Sequence, residues 1–322
     1  MTAAIETSRR PEDKVPEYSL FHYAQMISSR KRMESFTEAL RRNVKAGTVV
    51  CDLGTGLGLF AILAAQMGAR RVYAIEPNDV IETAAEVARA SGCADRIEFI
   101  QGFSTDVSLP EPVDLIVSDL RATLPFHGGH IPALVDARER FLKPGGCLIP
   151  DSDSLWLSVV RCRKLYRRLF EPWVEVPGVN LAVVRDRLLL QPGRCRATVD
   201  QLLPERVNWG TLDYRTITSP DHTGTAAWRI EEPATGFGLC LWFDSDLAPG
   251  VALSNAPDVP PLPYGHLFLP WTEPLDLEPG QWITVSLDAR LEDRGYVFES
   301  TVTLRQEGPV GPVVKQLTQT AA

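Results

Sequence analysis

The sequence lacks the features that identify several large classes of protein. It has no surplus of positive charge: 33 lysines and arginines against 41 aspartates and glutamates give a net charge of −8 over 322 residues. This balance argues against a nucleic acid or an anionic membrane surface as the main partner. No apolar run is long enough to span a bilayer, and the first residues lack the apolar core of a signal peptide. We therefore expect a cytoplasmic globular protein.

The cysteines lack the spacing of a metal site or of a disulfide framework. None of the six forms a CxxC pair with another, so the spacing indicates neither kind of cross-link. Several lie in apolar contexts, such as VVCDLG and GLCLWF, where a thiol packs as a small hydrophobic group. No metal site is predicted, and this cysteine usage is consistent with a reducing compartment.

Up to about residue 150, the sequence alternates buried strands with amphipathic helices. Strand-like stretches such as VVCDLG, RVYAIEP and VDLIVSD are separated by helical stretches such as DVIETAAEVARASG. This order predicts a Rossmann-like α/β domain with a parallel sheet and right-handed crossovers. Later runs such as WITVSLDARL, separated by prolines and glycines, predict a mainly antiparallel β-barrel or sandwich. The predicted regions are 1–46, with a lead and helices, the α/β domain 47–150, and the β domain 151–322.

A glycine turn follows the first predicted strand. The segment VVCDLGTGLGLF places Asp52 two residues before a Gly-x-Gly-x-Gly turn formed by Gly54, Gly56 and Gly58. Glycine allows the backbone to turn sharply and to approach a ligand closely. A dinucleotide site needs glycine or alanine at the sixth position counted from Gly54, and Leu59 stands there. The turn therefore predicts a nucleoside-containing ligand other than a dinucleotide.

The second strand supports the same interpretation. It ends at Glu76, which Pro77 follows, and an acid in this place can accept hydrogen bonds from both hydroxyls of a ribose. Together with the glycine turn, this pattern resembles motif I of class I S-adenosylmethionine-dependent methyltransferases. The resemblance implies S-adenosyl-L-methionine as cofactor and S-adenosyl-L-homocysteine as product. The alternative is a structural glycine turn beside a solvated glutamate.

Further segments resemble the protein arginine methyltransferases, in the same order over nearly the whole chain. MISSRKRMESF resembles the family's cofactor-lidding helix, which implies that Arg32 binds the methionine carboxylate and that Phe36 replaces a tyrosine. IQGFSTDVSLP resembles the segment that reaches the adenine, with Thr105 where the family usually has glutamate. The predicted cofactor-binding set is Arg32, Asp52, Gly54, Gly56, Gly58, Glu76, Pro77, Ser104, Thr105 and Asp119.

Two matches in the second half of the chain extend the resemblance. PYGHLF lies where the family has a Thr-His-Trp motif, so His266 takes the histidine position. YRRLFEPWVEVPGVNL lies where the family inserts its dimerisation arm. The resemblance therefore implies an arm at about residues 162–182 and a homodimer.

The predicted acceptor loop is SDLRATLPFHGGH. In the family this loop begins Ser-Glu and has a second glutamate nine positions later, and the two carboxylates hold the substrate guanidinium. Here the first position is Asp119 and the second is Gly128. Arg121 adds a positive charge that would repel a guanidinium and attract an anion. We therefore predict methyl transfer to a nitrogen or oxygen of a small molecule or peptide other than a standard protein arginine.

The candidates for the chemistry lie in this loop and in PYGHLF. Asp119 and His266 are the first choices, and Arg121, His127 and His130 lie in the same loop as Asp119. Structural alternatives exist: Asp119 as a turn cap, His266 as a satisfied barrel histidine, and Arg121 as the partner of a surface acid. Two other functions stay open: an arginine N-methyltransferase, protein- or free-arginine-directed, with an acid from elsewhere, and a non-catalytic cofactor-binding scaffold.

Overall fold

The computed structural model describes residues 18–168, 177–203, 206–293 and 295–322. The helices in these ranges are α1 (Leu20–Ser28), α2 (Arg30–Asn43), α3 (Leu59–Gln66), α4 (Val80–Ala90), α5 (His130–Phe141), α6 (Arg163–Arg167) and α7 (Ala182–Leu188). None of the described helices is long and apolar enough to cross a membrane.

The strands fall into a parallel set, up to residue 149, and an antiparallel set after it. The parallel set is β1 (Val49–Leu53), β2 (Arg71–Glu76), β3 (Ile97–Gln101), β4 (Val113–Ser118) and β5 (Leu142–Ile149). The antiparallel set is β6 (Ser152–Val159), β7 (Gly193–Cys195), β8 (Val207–Asp213), β9 (His222–Arg229), β10 (Ala234–Ala248), β11 (Val251–Ser254), β12 (His266–Leu277), β13 (Trp282–Glu292), β14 (Gly295–Arg305) and β15 (Val313–Ala321).

The parallel sheet has the order β3-β2-β1-β4-β5. All of β1 is buried, as expected for a strand covered by helices on both faces. The order reverses direction beside β1, whose neighbours are β2 and β4. Ligands of open α/β sheets bind at such a switch point, outside the carboxyl ends of the strands. The predicted Rossmann-like class is confirmed, and its topology locates the site.

The second half of the chain forms two antiparallel sheets. One has the order β7-β12-β10-β6-β8, with β11 paired to β10, and the other has the order β15-β14-β13-β9. From Trp282 to Arg290, strand β13 alternates between half-buried and buried positions, so that Ile283, Val285 and Leu287 face the core. This period of two is typical of a sheet with one face in the core. The predicted antiparallel domain is therefore confirmed.

The two halves pack closely on each other. Strand β5 ends at Ile149 and β6 starts the next sheet at Ser152. From α2, the Ser35 hydroxyl donates to the Ala252 carbonyl over 3.1 Å. From α5, Arg138 donates to the Tyr214 carbonyl over 2.9 Å. One hydrophobic core is continuous through both halves, so side chains from both can meet at a site between them.

The predicted dimerisation arm is only partly described. Its first residues form the short helix α6, and α7 begins at its end. Residues 169–176 lie outside the described residues.

Candidate active site

A cavity of about 620 Å³ lies at the carboxyl ends of the parallel strands. Its walls come from α1, from the loops after β1, β2, β3 and β4, and from the β domain near Leu267 and Tyr296. The predicted site residues that line it are Arg32, Gly54, Gly56, Glu76, Pro77, Ser104, Asp119, Arg121, His127 and His130. Thus the fold brings the cofactor motif and the acceptor loop together around one space.

The glycine turn lies between two other parts of the cavity wall. Gly54 has a φ of +74°, and a Cβ there would lie 2.2 Å from the Leu120 side chain of the acceptor loop. Gly56 has a φ of +53°, and its Cβ would lie 2.7 Å from the Tyr23 ring of α1. Glycine is therefore required twice over, for backbone conformation and for space.

Glu76 is buried at the end of β2. One carboxylate oxygen accepts the Gly56 N–H at 3.0 Å, and the other accepts the Asn78 N–H at 3.1 Å and the Asn78 side-chain amide at 3.0 Å. Burial raises the pKa of Glu76, while these three bonds oppose the rise. The carboxylate is held at the cavity wall beside the glycine turn, where a ribose would meet it.

Three predicted cofactor contacts lie away from the cavity. Asp52 is buried behind the turn, where one carboxylate oxygen accepts the Thr55 hydroxyl at 2.6 Å and the Ala61 N–H at 2.9 Å. Burial raises the pKa of Asp52 to about 7. Gly58 is the N-cap of α3, and Thr105 is exposed in a 3-10 turn. We correct their positions: Asp52 and Gly58 shape the turn from behind, and Ser104 lines the cavity instead of Thr105.

Asp119 is the centre of an ion-pair network. Its Oδ2 accepts the Arg32 Nε at 2.7 Å and the Tyr264 hydroxyl at 2.6 Å. Its Oδ1 accepts Nε and a terminal nitrogen of Arg121 at 3.2 and 3.1 Å. Burial raises the pKa of this carboxyl, but the two arginines outweigh it and hold the pKa below its usual value. Asp119 is therefore an anion, and its neighbours already occupy both oxygens.

The position of Arg121 corrects the prediction that it would attract an anionic ligand or pair with a surface acid. Its side chain is fully buried. It donates to Asp119, to Asp153 at 2.9 Å and to the Ser245 hydroxyl. Its guanidinium also lies 4.9 Å from the centre of the Phe243 ring. Arg121 is consequently an internal link between the acceptor loop and the β domain.

The network continues to His130. The Tyr214 hydroxyl donates to Asp153 at 2.6 Å, and His130 Nε2 lies 3.3 Å from that hydroxyl. Because the Tyr214 proton points to Asp153, we assign the His130 proton to Nε2. Nδ1 then keeps its lone pair and has no partner among the described residues. Burial lowers the pKa of His130 to about 3, so the ring is neutral.

His127 lies nearer to solvent in the same loop. The residue is exposed, and it lines the cavity. Partial burial lowers its pKa, so that its imidazole is neutral at neutral pH. A neutral imidazole has a free lone pair that can accept a proton from an acceptor molecule.

His266 does not reach the cavity. It is buried on β12, where its Nδ1 accepts the Ala197 N–H at 3.0 Å. It lies instead in a cluster with Cys195 and Cys240. We correct its predicted position beside the acceptor. The residue of this segment that reaches Asp119 is Tyr264, two positions earlier in the chain.

Sequence reasoning missed Tyr264, Asp153 and Ser245. Ser245 lies in the segment WFDSD, between Asp244 and Asp246. Both acids lie on β10, away from the cavity, while Ser245 between them is buried and bonds to Arg121. Successive residues of a strand point to opposite faces, and this alternation was the signal that could have selected Ser245.

The end of the cavity beyond Asp119 has an aromatic wall. Phe126 lies 5.2 Å from the Tyr296 ring and 6.2 Å from the Phe298 ring, measured between centroids. These three residues line the cavity together with Leu267. Glu76 and Asp119 are the acids of the lining in the described part of the chain. This surface suits an apolar or aromatic group better than a free cation.

Comparisons with known proteins match this geometry. Residues 50–146 match the family model described as "Methyltransferase domain". Protein arginine N-methyltransferase PRMT10 of Oryza sativa subsp. japonica is 42% identical over 166 residues, which are 51% of this chain and 44% of the relative. The chain contains a class I methyltransferase domain. Domains of this class use S-adenosylmethionine.

The architecture outside that domain also has known counterparts. The solved structure of Arabidopsis thaliana protein arginine methyltransferase 10 superposes with a TM-score of 0.82 at 22% identity, covering 94% of this chain and 97% of that one. A chain of the Trypanosoma brucei PRMT1 enzyme–prozyme heterotetrameric complex with AdoHcy superposes with a TM-score of 0.82 at 21% identity. The match covers 93% of this chain and 98% of that one. The chain therefore resembles the protein arginine methyltransferases in overall fold. In sequence, it spans less than half the length of the rice relative.

Proposed function

We propose that the protein is an S-adenosylmethionine-dependent methyltransferase whose acceptor is a nitrogen or oxygen of a small molecule or peptide other than a standard protein arginine. The observation that carries this proposal concerns the carboxylates of the acceptor loop. Its one carboxylate, Asp119, is fully engaged by Arg32, Arg121 and Tyr264, and Gly128 stands where a second carboxylate would be.

The residues at the cofactor end fit S-adenosylmethionine. The turn at Gly54 and Gly56 leaves no room for side chains, so the backbone itself forms the surface for the ligand. We propose that Glu76 accepts the ribose hydroxyls and that Arg32 binds the methionine carboxylate, because both line the cavity. The bound cofactor supplies an electrophilic methyl group on a sulfonium. The protein must then orient the nucleophile and accept its proton.

Of the two histidines of the acceptor loop, His127 suits the second task and His130 does not. His127 is neutral and open to the cavity, so it can accept a proton from an incoming nucleophile. His130 has a free acceptor at Nδ1 but a pKa of about 3. It is therefore too weak a base for proton removal, and its unpaired Nδ1 is buried. A nucleophile with a hydrogen to lose matches His127 alone.

Arginine methylation is the second candidate, and the names of the relatives favour it. The rice and Arabidopsis thaliana relatives are named as arginine N-methyltransferases. For that reaction a planar cation needs carboxylates that can bind it in bidentate fashion. Asp119 would have to release Arg121 or Arg32 before it could bind a guanidinium. That rearrangement would break a buried charge-assisted hydrogen bond, which is costly, although Arg121 would keep its ion pair with Asp153.

Turnover of labelled methyl donor distinguishes the candidates. We would compare an arginine-rich peptide, free arginine, and peptides that offer histidine or tyrosine, with the full chain as enzyme. We expect labelling of neutral acceptors and none of arginine. Efficient labelling of the arginine peptide that is abolished by Asp119→Ala would exclude the proposal. Binding of S-adenosylhomocysteine without turnover on any acceptor, cell extract included, would favour a scaffold.

Gly128 offers a direct gain-of-function test. It has a φ of +48°, and a Cβ there would meet no atom within 4 Å. Gly128→Glu therefore has space for the missing carboxylate, and one charge-assisted bond should tighten binding of an arginine-rich peptide about tenfold. Gly129→Glu is the control for added charge, because its Cβ is equally unhindered and it stands one position away. Its φ of −89° spares it the backbone strain that Gly128→Glu must bear at +48°, so melting curves of both variants are compared first. Calorimetry with S-adenosylhomocysteine present gives the affinities.

The homodimer implied by the arm is part of the same proposal. Sedimentation equilibrium of the full chain should give twice the mass of one chain, and deletion of residues 169–176 should shift it toward the monomer. A monomeric full chain at micromolar concentration would contradict this assembly.

A further inference from the structure

A second group of reactive side chains lies outside the cavity, on one face of the β7-β12-β10 part of the sheet. The sulfurs of Cys195 and Cys240 and one ring nitrogen of His266 all lie within 4.8 Å of one another. Cys195 pairs with His266 in the β7–β12 register, and Cys240 pairs with Phe268 in the β10–β12 register. Positions 266 and 268 point to the same face, so the three ligand atoms converge.

We propose that Cys195, Cys240 and His266 form a metal site, with Zn²⁺ as the best-matched ion. Zinc binds thiolate at about 2.3 Å and imidazole at about 2.0 Å in tetrahedral geometry, which places neighbouring ligand atoms roughly 3.5–3.8 Å apart. The observed limit of 4.8 Å is close to this separation, and small side-chain rotations close the difference. A water molecule completes the fourth position.

The sheet geometry favours a metal over a disulfide. Strand β12 lies between β7 and β10, so the strands that carry Cys195 and Cys240 are about 9.5 Å apart, which is twice the spacing between neighbouring strands. A disulfide needs Cα atoms within about 6.8 Å. The two cysteines can share a metal ion between their sulfurs without moving the strands, whereas a covalent S–S bond would require the strands to move.

Charge and hydrogen bonding also suit zinc here. The cluster lies among buried apolar side chains, including Val160, Leu202 and Phe268. Two thiolates and one neutral imidazole around Zn²⁺ give a site of zero net charge, which lowers the cost of burial. The Ala197 N–H hydrogen-bonds to His266 Nδ1 and also to Cys195. When Nδ1 binds the metal, this N–H keeps the Cys195 sulfur as its acceptor, an outer contact typical of metal sites.

The site would hold two cavity segments in place. Pro192, just before β7, and Leu267, just after His266, both line the cavity. Tyr264, two residues before His266, bonds to Asp119. A metal joining β7, β10 and β12 would therefore stabilise the segment that positions Tyr264, and its role is structural.

Cobalt titration tests the site without any activity assay. The full chain, first dialysed against a chelator, is titrated with Co²⁺. We expect one equivalent to give the visible d–d bands of tetrahedral cobalt and a thiolate-to-cobalt charge-transfer band, with Zn²⁺ displacing it. Cys195→Ser and Cys240→Ala should lose both bands, and His266→Gln should weaken binding at least tenfold. Cys147→Ser, at an exposed cysteine of β5, should bind as the wild type does.

Circular dichroism melts show whether each variant is folded. This control is needed for Cys240→Ala, because Cys240 is fully buried and its variant can fail to fold. Cys195 is half-buried, so Cys195→Ser gives an independent reading. A folded wild-type chain that shows no tetrahedral cobalt spectrum overturns the proposal. A spectrum that survives unchanged in folded Cys195→Ser overturns it as well.

Discussion

The two ends of the cavity are built in opposite ways. At the cofactor end, the main parts lie close together in sequence, in the turn from Gly54 to Gly58 and in Glu76 at the next strand end. At the acceptor end, Arg32, Asp119, Arg121, Asp153 and Tyr264 come from four separate segments of both halves of the chain. The first end depends on backbone shape and space, and the second depends on buried charges that neutralise one another.

The largest effect is expected from removing the central charge of the acceptor end. Arg121→Met leaves the buried Asp153 without its ion-pair partner and takes one of two arginines from Asp119, and we expect the free energy of unfolding to fall by about 3–5 kcal/mol. Urea denaturation measures it. The control is Arg229→Met, whose ion pair with Glu231 is exposed and should contribute less than about 1 kcal/mol. If both variants lost the same free energy of unfolding, the buried network would stabilise the fold no more than an exposed ion pair does.

At the cofactor end, the corresponding change is steric. Gly54→Ala places a methyl group 2.2 Å from Leu120, and we expect the affinity for S-adenosylhomocysteine, measured by calorimetry, to fall about a hundredfold. Gly47→Ala shares the strain of a positive φ, here +92°, but its Cβ meets nothing within 4 Å. That control should bind the ligand normally. Normal binding by Gly54→Ala would show that the turn tolerates the contact.

Asp52 gives a prediction about pH. Its pKa is about 7 in the folded chain and near 3.8 when unfolded, so between these values only the folded state holds the proton. The free energy of unfolding should therefore fall by up to about 1.4 kcal/mol per unit as pH rises through this window. Asp52→Asn should remove this contribution to the slope of the unfolding free energy against pH. Asp95→Asn, at an exposed position, should keep the wild-type slope. Identical slopes in all three chains would exclude a protonated Asp52.

The smallest effect concerns Thr105, which is exposed outside the cavity. Thr105→Ala should change the affinity for S-adenosylhomocysteine less than twofold. Glu76→Gln should lower that affinity about tenfold, because it replaces a charged hydrogen-bond acceptor. A tenfold loss in Thr105→Ala would mean that the adenine segment rearranges on binding.

The contrast between the two ends of the cavity also explains which site residues could be predicted from the sequence. Gly54, Gly56 and Glu76 were predictable because each sits at a strand end, where local pattern determines position. Arg121 was singled out, but its chemistry depends on Asp153 and Ser245, which lie 32 and 124 residues away. His266 was placed at the acceptor by position in a motif, but the turn before β12 brings Tyr264 into contact with Asp119 instead. Local periodicity predicts elements, whereas a buried network depends on how sheets pack.

The charges around the cavity have a consequence for kinetics. In the described part of the chain, the charged residues that line it are Arg32, Arg121, Glu76 and Asp119, two cations and two anions. Opposite charges held this close produce little field at a distance. An acceptor entering such a site experiences little electrostatic steering from its walls, so its KM should hardly respond to ionic strength. Selection among acceptors then falls to the shape of the aromatic wall around Phe126.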